Sequence, residues 1–167
     1  MKSGFVYLRP LNVAFVRSTG PYGTSAASAW GQMFDWLDRT GLLSTVGTGY
    51  GLLLDDPRTI EPHLCRYDAC VELTEEIRAR IPEHFSIRRL PGGAYARDRH
   101  VGGTAGLADA ISNMRHSGIE ASGLHVDPRR PLIEIYFDNP RVVPAEKQRI
   151  DICMPVAVDE AFGRTAA

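Results

Sequence analysis

A chain of 167 residues is long enough for one domain of ordinary size or for two small fused halves. Its hydrophobic content of 44% and charged content of 23% are typical of a soluble globular protein, and a net charge of −1 gives no basic surface for nucleic acid. No run of residues approaches the roughly 18 apolar positions of a membrane span, and residues 1–13 lack the apolar core of a signal peptide. We therefore expect neither nucleic-acid binding nor a membrane segment.

The chain has three cysteines, Cys65, Cys70 and Cys153, an odd number without close C-x-x-C spacing. Buried thiols in a reducing cytoplasm are therefore a better interpretation than a disulfide framework or a metal knuckle. The five histidines have no ligand-like spacing. The glycine pairs 92–93 and 102–103 flank a predicted strand and lack the lysine and the G-x-G-x-x-G pattern of a phosphate loop. We expect no metal and no cofactor.

The first half of the chain has the predicted order strand, helix, strand, strand. Residues 5–18 contain two β-rich segments separated by a proline, which predicts a strand or a strand pair. A helical period follows over 22–40, and Gly41 is its predicted stop. Residues 47–54 and 64–73 predict two further strands joined by a turn. The apolar stripe of the helix consists of Ala26, Ala29, Met33 and Leu37, with Trp30 beside it.

The second half repeats this order. Residues 85–100 predict a long strand region with a Pro-Gly-Gly bulge or turn in its middle. Residues 104–117 predict a helix that Gly118 ends, and strands follow over 132–137 and 150–157.

The two halves also match residue by residue at a shift of 82 or 83 positions. The aligned pairs are Arg17 with Arg99, Gly20 with Gly102, Asp55 with Asp138, Pro57 with Pro140, Asp68 with Asp151 and Cys70 with Cys153. So many identities at nearly the same shift predict a tandem duplication. We interpret residues 1–167 as a single domain built from repeats over about 5–75 and 84–157.

The strand over 132–137 carries the most informative residue. Alternate side chains of a strand point to opposite faces, so Leu132, Glu134 and Tyr136 share one face of it. A carboxylate between a leucine and a tyrosine is costly unless it is hydrogen-bonded, paired with a cation or protonated. Glu134 is therefore a candidate receptor for a cation or a candidate general acid or base. The alternative is an edge strand with Glu134 in water.

When the two halves are aligned, glycines correspond to the first two of these residues. Gly49 and Gly51 are the counterparts of Leu132 and Glu134. Glycine on a strand face often marks a close approach by backbone or ligand, although both glycines would also fit a bulge. The repeat thus predicts a cleft at the junction of the halves, open on one side and lined by Glu134 and Tyr136 on the other.

The order of the motifs resembles the GyrI-like (gyrase-inhibitor-like) small-molecule-binding family, which also occurs as the effector-binding half of AraC- and MerR-type regulators. The segments that carry the resemblance are VAFVRSTGPY (13–22), FDWLDRTGL (34–42), GLLLDDP (51–57), RYDACVEL (66–73), PGGAYARDRHVG (91–102), IEIYFDNP (133–140) and IDICMPV (150–156). It implies an α+β fold of tandem duplicated βαββ units, with two antiparallel sheets, a helix packed on each, and a ligand cleft at their pseudo-two-fold junction.

The resemblance also implies a role for Glu134, which falls on a glutamate of the family's ligand cleft. In drug-sensing relatives that carboxylate faces lipophilic cations held by aromatic rings. In other relatives it works with aromatic residues in hydrolysing strained, DNA-alkylating cyclopropane compounds. A further relative protects DNA gyrase from peptide toxins. Three functions on one scaffold cannot be separated by the fold alone.

Three features depart from the family's pattern. Residues 102–104, Gly-Gly-Thr, stand where an aromatic residue usually follows the entry to the second helix, and 117–131 lacks the tryptophan often found there. A hydrolase would then need Trp30, Trp36 or a tyrosine as its aromatic partner. No helix-turn-helix precedes or follows the domain in this sequence, so we do not expect direct DNA binding.

We predict a protein that binds a small apolar or cationic organic molecule. The predicted ligand contacts are Glu134, Tyr136, Trp30, Tyr67, Tyr95 and Gly51. The first alternative is a hydrolase in which Glu134 activates water against a strained electrophile. The second is a gyrase-inhibitor-type protein with gyrase or a separate regulator as its partner, for which Asp55, Asp56 and the tail 159–167 are candidate contact sites.

Overall fold

The computed structural model describes residues 3–158, which form an antiparallel sheet and three helices. The strands are β1 Gly4–Leu8, β2 Leu11–Thr19, β3 Gly49–Leu53, β4 Arg66–Glu72, β5 Ser86–Leu90, β6 Gly93–Val101, β7 Leu124–Val126, β8 Leu132–Tyr136 and β9 Arg149–Val158. The helices are α1 Tyr22–Thr40, α2 Glu75–Arg80 and α3 Leu107–Asn113, the last continued by a π-helix over Met114–Ile119. Within residues 3–158, no helix is both long enough and apolar enough to cross a membrane.

The two halves meet in the middle of the sheet. Eight strands follow the order β1-β6-β9-β8-β3-β4-β2-β5, and β7 adds to β9. The halves join where β3 pairs with β8 and Gly51 opposes Glu134. The expectation of two separate sheets is therefore wrong, because the β3–β8 pairing makes the sheet continuous. The strand order on either side of this junction is equivalent in the two halves.

The outer strands of the two halves are exchanged. β1 precedes β2 in the chain but pairs with β6 of the second half, and β5 precedes β6 but pairs with β2 of the first half. The segment predicted as one strand region over 85–100 is thus two strands, β5 and β6, that lie towards opposite ends of the strand order. The halves are held together at both edges as well as at the centre.

Ion pairs occupy equivalent places beside the central strands. Asp55 accepts hydrogen bonds from the backbone amide and the guanidinium of Arg66, and Asp138 accepts the same pair of bonds from Arg149. Asp55 and Asp138 are aligned by the sequence repeat. These matched contacts agree with a duplication, which stays a prediction.

The helices cover one face of the sheet. α1 packs on β2 and β4 and encloses the core around Met33 and Leu37, while α3 packs over the β6–β9 side. The opposite face carries a third apolar cluster with residues from both halves. An open space remains between α1 and α3 on this face, and the central strands lie beneath it.

The end of the second helix differs from the prediction. Gly118 does not stop the helix but lies within the π-helix, where a Cβ would come within 2.7 Å of the Ser3 hydroxyl. The left-handed stop is Gly123, with a φ of 74°. Gly41 ends α1 with a φ of 71°, as the sequence predicts.

Candidate functional site

A cleft of about 1220 Å³ lies between α1 and α3, and the central strands form its floor. Both halves contribute to its walls, and four of the six predicted ligand contacts line it. These four are Trp30, Tyr67, Glu134 and Tyr136. Gly51 lies directly beneath two of them, and Tyr95 lies elsewhere.

Glu134 lies on the floor of the cleft with only 4% of its surface exposed. Its Oε2 accepts a 2.5 Å hydrogen bond from the Tyr136 hydroxyl and a 3.1 Å hydrogen bond from the Tyr67 hydroxyl. Burial raises the pKa of this carboxyl to about 7, although the two phenol donors act in the opposite direction. Near neutral pH the group therefore takes both protonation states.

Glu134 differs from the other buried acids of the described chain. Three buried aspartates are each bound by two arginines: Asp68 by Arg17 and Arg88, Asp151 by Arg97 and Arg99, and Asp127 by Arg129 and Arg130. Glu134 has no such ion pair among residues 3–158, and only neutral hydroxyl groups donate to it. A buried carboxylate without a cation is costly.

An aromatic wall stands over this carboxyl. The Trp30 indole Nε1 donates a 2.9 Å hydrogen bond to the Tyr67 hydroxyl, which donates in turn to Glu134. The Trp30 ring meets the Tyr136 ring edge to face, with centroids 5.4 Å apart. These hydrogen bonds fix the orientation of three rings around one carboxyl. The arrangement can bind an apolar group and offer it a negative or hydrogen-bonding partner.

Two glycines of β3 make room for these rings. A Cβ on Gly49 would lie 2.7 Å from the Trp30 ring, and a Cβ on Gly51 would lie 2.1 Å from the Tyr67 hydroxyl oxygen. Both glycines keep regular pairing with β4 and β8, so they do not form a bulge. The sequence left open whether these glycines mark a close approach or a bulge. The structure has a close approach, and the approaching groups are the side chains of Trp30 and Tyr67.

Replacing Gly51 with alanine is expected to destabilise the fold by about 1–3 kcal/mol, because the new methyl group overpacks the site and displaces Tyr67. Urea denaturation measures this loss. The matched control is Gly31→Ala, since Gly31 lies in α1 and a methyl group added there would have no neighbour within 4 Å. The control change should stabilise the helix by roughly 0.5–1 kcal/mol. Equal stability of Gly51→Ala and wild type would contradict this packing.

Tyr22 was missed by the sequence analysis as a cleft residue. Its hydroxyl donates a 2.8 Å hydrogen bond to the Asp55 carbonyl and accepts a 2.9 Å hydrogen bond from the Asp55 amide. Its ring lies edge to face with Tyr67, at 6.3 Å between centroids. The signal was present in the spacing of four between Tyr22, Ala26 and Trp30, which puts them on one helix stripe.

The candidate acidic contact sites are largely neutralised. Asp55 is bound by Arg66, and Asp56 is bound by Arg58. These aspartates therefore do not present an open acidic patch to a protein partner. The tail 159–167 lies outside the residues that the structure describes.

Tyr95 does not share the cleft with the other predicted residues. It is fully buried on the opposite face of the sheet, in the third apolar cluster, and the Arg130 guanidinium lies 4.9 Å from its ring centroid. Alternate side chains of β6 point to opposite faces of the sheet. Ala96 faces the α3 side, so its neighbour Tyr95 faces away from the cleft. Val13, the repeat counterpart of Tyr95, is buried in the same cluster.

Known proteins share sequence and fold with this chain. It is 29% identical over 127 residues to the "Probable transcriptional regulator YgiV" of Escherichia coli (strain K12), covering 73% of this chain and 76% of the relative. Its fold is similar to the EcmrR C-terminal domain, with a TM-score of 0.74 and 13% identity over 95% of this chain and 98% of that one. It is also similar to SAV2435 bound to tetraphenylphosphonium, with a TM-score of 0.63 and 14% identity over 100% of both chains. A hydrolase from Listeria innocua has a TM-score of 0.63 and 16% identity over 93% of this chain and 92% of its own.

Sequence motifs and fold lead to the same family. A family described as the GyrI-like small molecule binding domain matches residues 1–157, which is nearly the whole chain. That span includes every residue that lines the cleft. The structural similarities, at identities below 25%, establish the fold and not the ligand. The resemblance predicted from the motifs is confirmed, and the chain belongs to the GyrI-like family of small-molecule-binding domains.

Proposed function

We propose that this protein binds a small, largely apolar organic cation in its cleft, with Glu134 as the counter-charge and Trp30, Tyr67 and Tyr136 as the aromatic walls. One observation carries the proposal. Glu134 is the buried acid of the described chain that has no arginine, and it lies on the floor of the cleft. A ligand cation would supply the missing charge.

The energetics favour a cation over a neutral ligand. A cation over an aromatic face gains about 0.5–2 kcal/mol. A carboxylate beside it in a desolvated site adds to this, because electrostatic attraction is stronger at low effective dielectric. The same ligand would favour the ionised form of Glu134. Part of the ligand's binding energy would therefore offset the cost of burying that charge.

The relatives agree with a sensing role. SAV2435 is described as bound to tetraphenylphosphonium, and YgiV as a probable transcriptional regulator. We infer that the present domain reports a bound cation to a separate regulator. We also infer that its two halves arose by duplication. The three buried free cysteines, Cys65, Cys70 and Cys153, support a reducing, cytoplasmic location.

Binding of tetraphenylphosphonium at pH 8 tests the proposal. Losing a charged partner in a buried site costs about 1.5–3 kcal/mol, so Glu134→Gln should weaken binding roughly 10- to 100-fold. Isothermal titration calorimetry measures the affinity. The control is Glu72→Gln, which makes the same chemical change at an exposed position of β4 and should leave the affinity unchanged.

Equal affinity of wild type and Glu134→Gln would remove Glu134 from the site. Failure of wild type to bind this and other lipophilic cations would reject cation binding altogether.

A second function, hydrolysis of a strained electrophile, rests on one specific observation. A carboxyl with a pKa raised to about 7 suits general acid–base work near neutral pH. Mass spectrometry of a cyclopropane-bearing electrophile after incubation separates the two functions. A product heavier by one water, formed by wild type and not by Glu134→Gln, would establish a hydrolase, whereas recovery of unchanged ligand supports binding alone.

A further inference from the structure

A second charged group lines the cleft, and it has the opposite sign to Glu134. Arg115 lies on the π-helix, and its side chain is only 12% exposed. Its one ion pair joins Nη1 to the Asp56 Oδ2 at 3.6 Å, which is longer than a hydrogen bond. No residue among 3–158 accepts a hydrogen bond from this guanidinium. Its N–H donors are therefore available to a molecule in the cleft.

Asp56 is a weak partner because it already serves another arginine. Its carboxylate accepts three hydrogen bonds of 2.8–3.1 Å from the Arg58 side chain and one from the Arg58 backbone amide. The nearby Glu120 accepts a 2.9 Å hydrogen bond from His116 and reaches Arg58 only at 3.9 Å. Arg115 is thus incompletely neutralised. Burial lowers the pKa of Arg115 from its usual value, in agreement with that environment.

The repeat places smaller side chains on this side of the cleft. At the shifts that align the halves, Ser112 corresponds to Trp30 and Ile150 corresponds to Tyr67. Where the first half fills its part of the cleft with an indole and a phenol, the second half has a hydroxymethyl and an aliphatic side chain. Both smaller residues line the cleft, as Arg115 does. We expect a ligand anchored at Glu134 to extend towards these smaller residues and Arg115.

We propose that the natural ligand is an apolar zwitterion, and that Arg115 binds its carboxylate while Glu134 faces its cationic part. The inference rests on the proposed cation site at Glu134 and adds a second point of recognition. An arginine binds a carboxylate through two parallel N–H···O bonds, which gives geometric selectivity as well as attraction. Arg115 is therefore a specificity-determining residue.

A purely structural role for Arg115 has a different consequence. Asp56 follows β3 of the first half, and Arg115 belongs to the second half, so their ion pair also connects the two sides of the cleft. A residue that only connects the halves would change stability and the affinity for every ligand alike. It would not change the preference for an acid over its ester.

Two matched dyes test this distinction by fluorescence polarisation at pH 8. Rhodamine 110 has a xanthylium cation and a free carboxylate, and rhodamine 123 is its methyl ester. We expect wild type to bind the acid about tenfold more tightly than the ester, since a charge-assisted hydrogen bond contributes on the order of a tenfold change in affinity. In Arg115→Met the ratio should fall to about one, with little change for the ester.

Two further variants serve as controls. Arg39→Met removes an exposed arginine that pairs with Asp35 outside the cleft lining, and it should leave the acid-to-ester ratio at the wild-type value. Arg115→Lys keeps a positive charge near Asp56, so the ion pair between the two sides of the cleft is retained. Lysine lacks the paired N–H donors of arginine, so the acid-to-ester ratio of this variant should be intermediate. Thermal melting checks that each variant is folded.

The outcomes separate the two proposals. Weaker binding of both dyes by Glu134→Gln, together with an unchanged acid-to-ester ratio in Arg115→Met and Arg115→Lys, would overturn the carboxylate site and leave the cation site intact. Absence of any preference for the acid in wild type would overturn it as well. If wild type binds tetraphenylphosphonium but neither dye, the carboxylate site is overturned and the cation site stands.

Discussion

Between pH 5 and pH 8.5, the free energy of unfolding of the wild type is expected to fall by about 2–3 kcal/mol relative to that of Glu134→Gln. Burial raises the pKa of Glu134 to about 7 in the folded protein, against an ordinary value of 4.5. The folded state therefore binds more protons than the unfolded state between these values. Stability from this group is present at low pH and is lost as the pH rises towards 7, whereas glutamine does not titrate.

Urea denaturation of both proteins at four pH values measures this difference. Each protein is compared with itself at different pH values, so any pH-independent loss of stability caused by the introduced amide cancels. Glu72→Gln, the same chemical change at an exposed position of β4, is the matched control. If the curve of Glu134→Gln is parallel to that of the wild type, Glu134 is ionised in the folded protein throughout, and its proposed environment is wrong.

Much of the site follows from the alternation of one strand. The pattern of residues 132–137 places Glu134 and Tyr136 on one face, and the helical stripe of α1 places Trp30 near it. The repeat adds Gly49 and Gly51 as the counterparts of Leu132 and Glu134. These relations are local or depend on one register, so the sequence can specify them. The roles of these residues in binding stay predictions.

What the sequence did not show depends on long-range pairing. The exchange of β1 and β5 between the halves has no local signal, because each strand has the same alternation whichever partner it joins. Gly118 shows a related ambiguity, since a glycine at a helix end fits a stop as well as a close contact with Ser3. Tyr95 and its repeat counterpart, Val13, are buried in the same cluster, and the alternation of β6 alone did not show which face that is.

The cleft depends on a difference between two similar halves. At the centre of the sheet, Gly51 opposes Glu134, so one half provides space and the other provides the carboxyl. Tyr67 from the first half then fills the space over Gly51 and donates to Glu134. Two identical halves would place either two carboxyls or two glycines at this junction. The asymmetry gives one carboxyl, with hydroxyl groups from both halves around it.

Tetraphenylphosphonium is expected to bind about thirtyfold more tightly at pH 8 than at pH 5.5, with the change levelling off above pH 7. The cation does not titrate, so the dependence belongs to the protein. With a pKa near 7, Glu134 is mostly neutral at pH 5.5 and mostly ionised at pH 8. The apparent affinity is reduced by the fraction of protein in the competent, ionised state, which falls about tenfold per pH unit below the pKa.

Calorimetric titrations across this range, repeated in buffers of different ionisation enthalpy, measure both the affinity and the protons released. Near pH 6, close to one proton should be released for each cation bound, because the ligand favours the ionised carboxylate. Glu134→Gln keeps every other group of the cleft, so the comparison isolates the contribution of Glu134. A pH dependence as steep in Glu134→Gln as in the wild type would show that the effect does not come from the buried carboxyl.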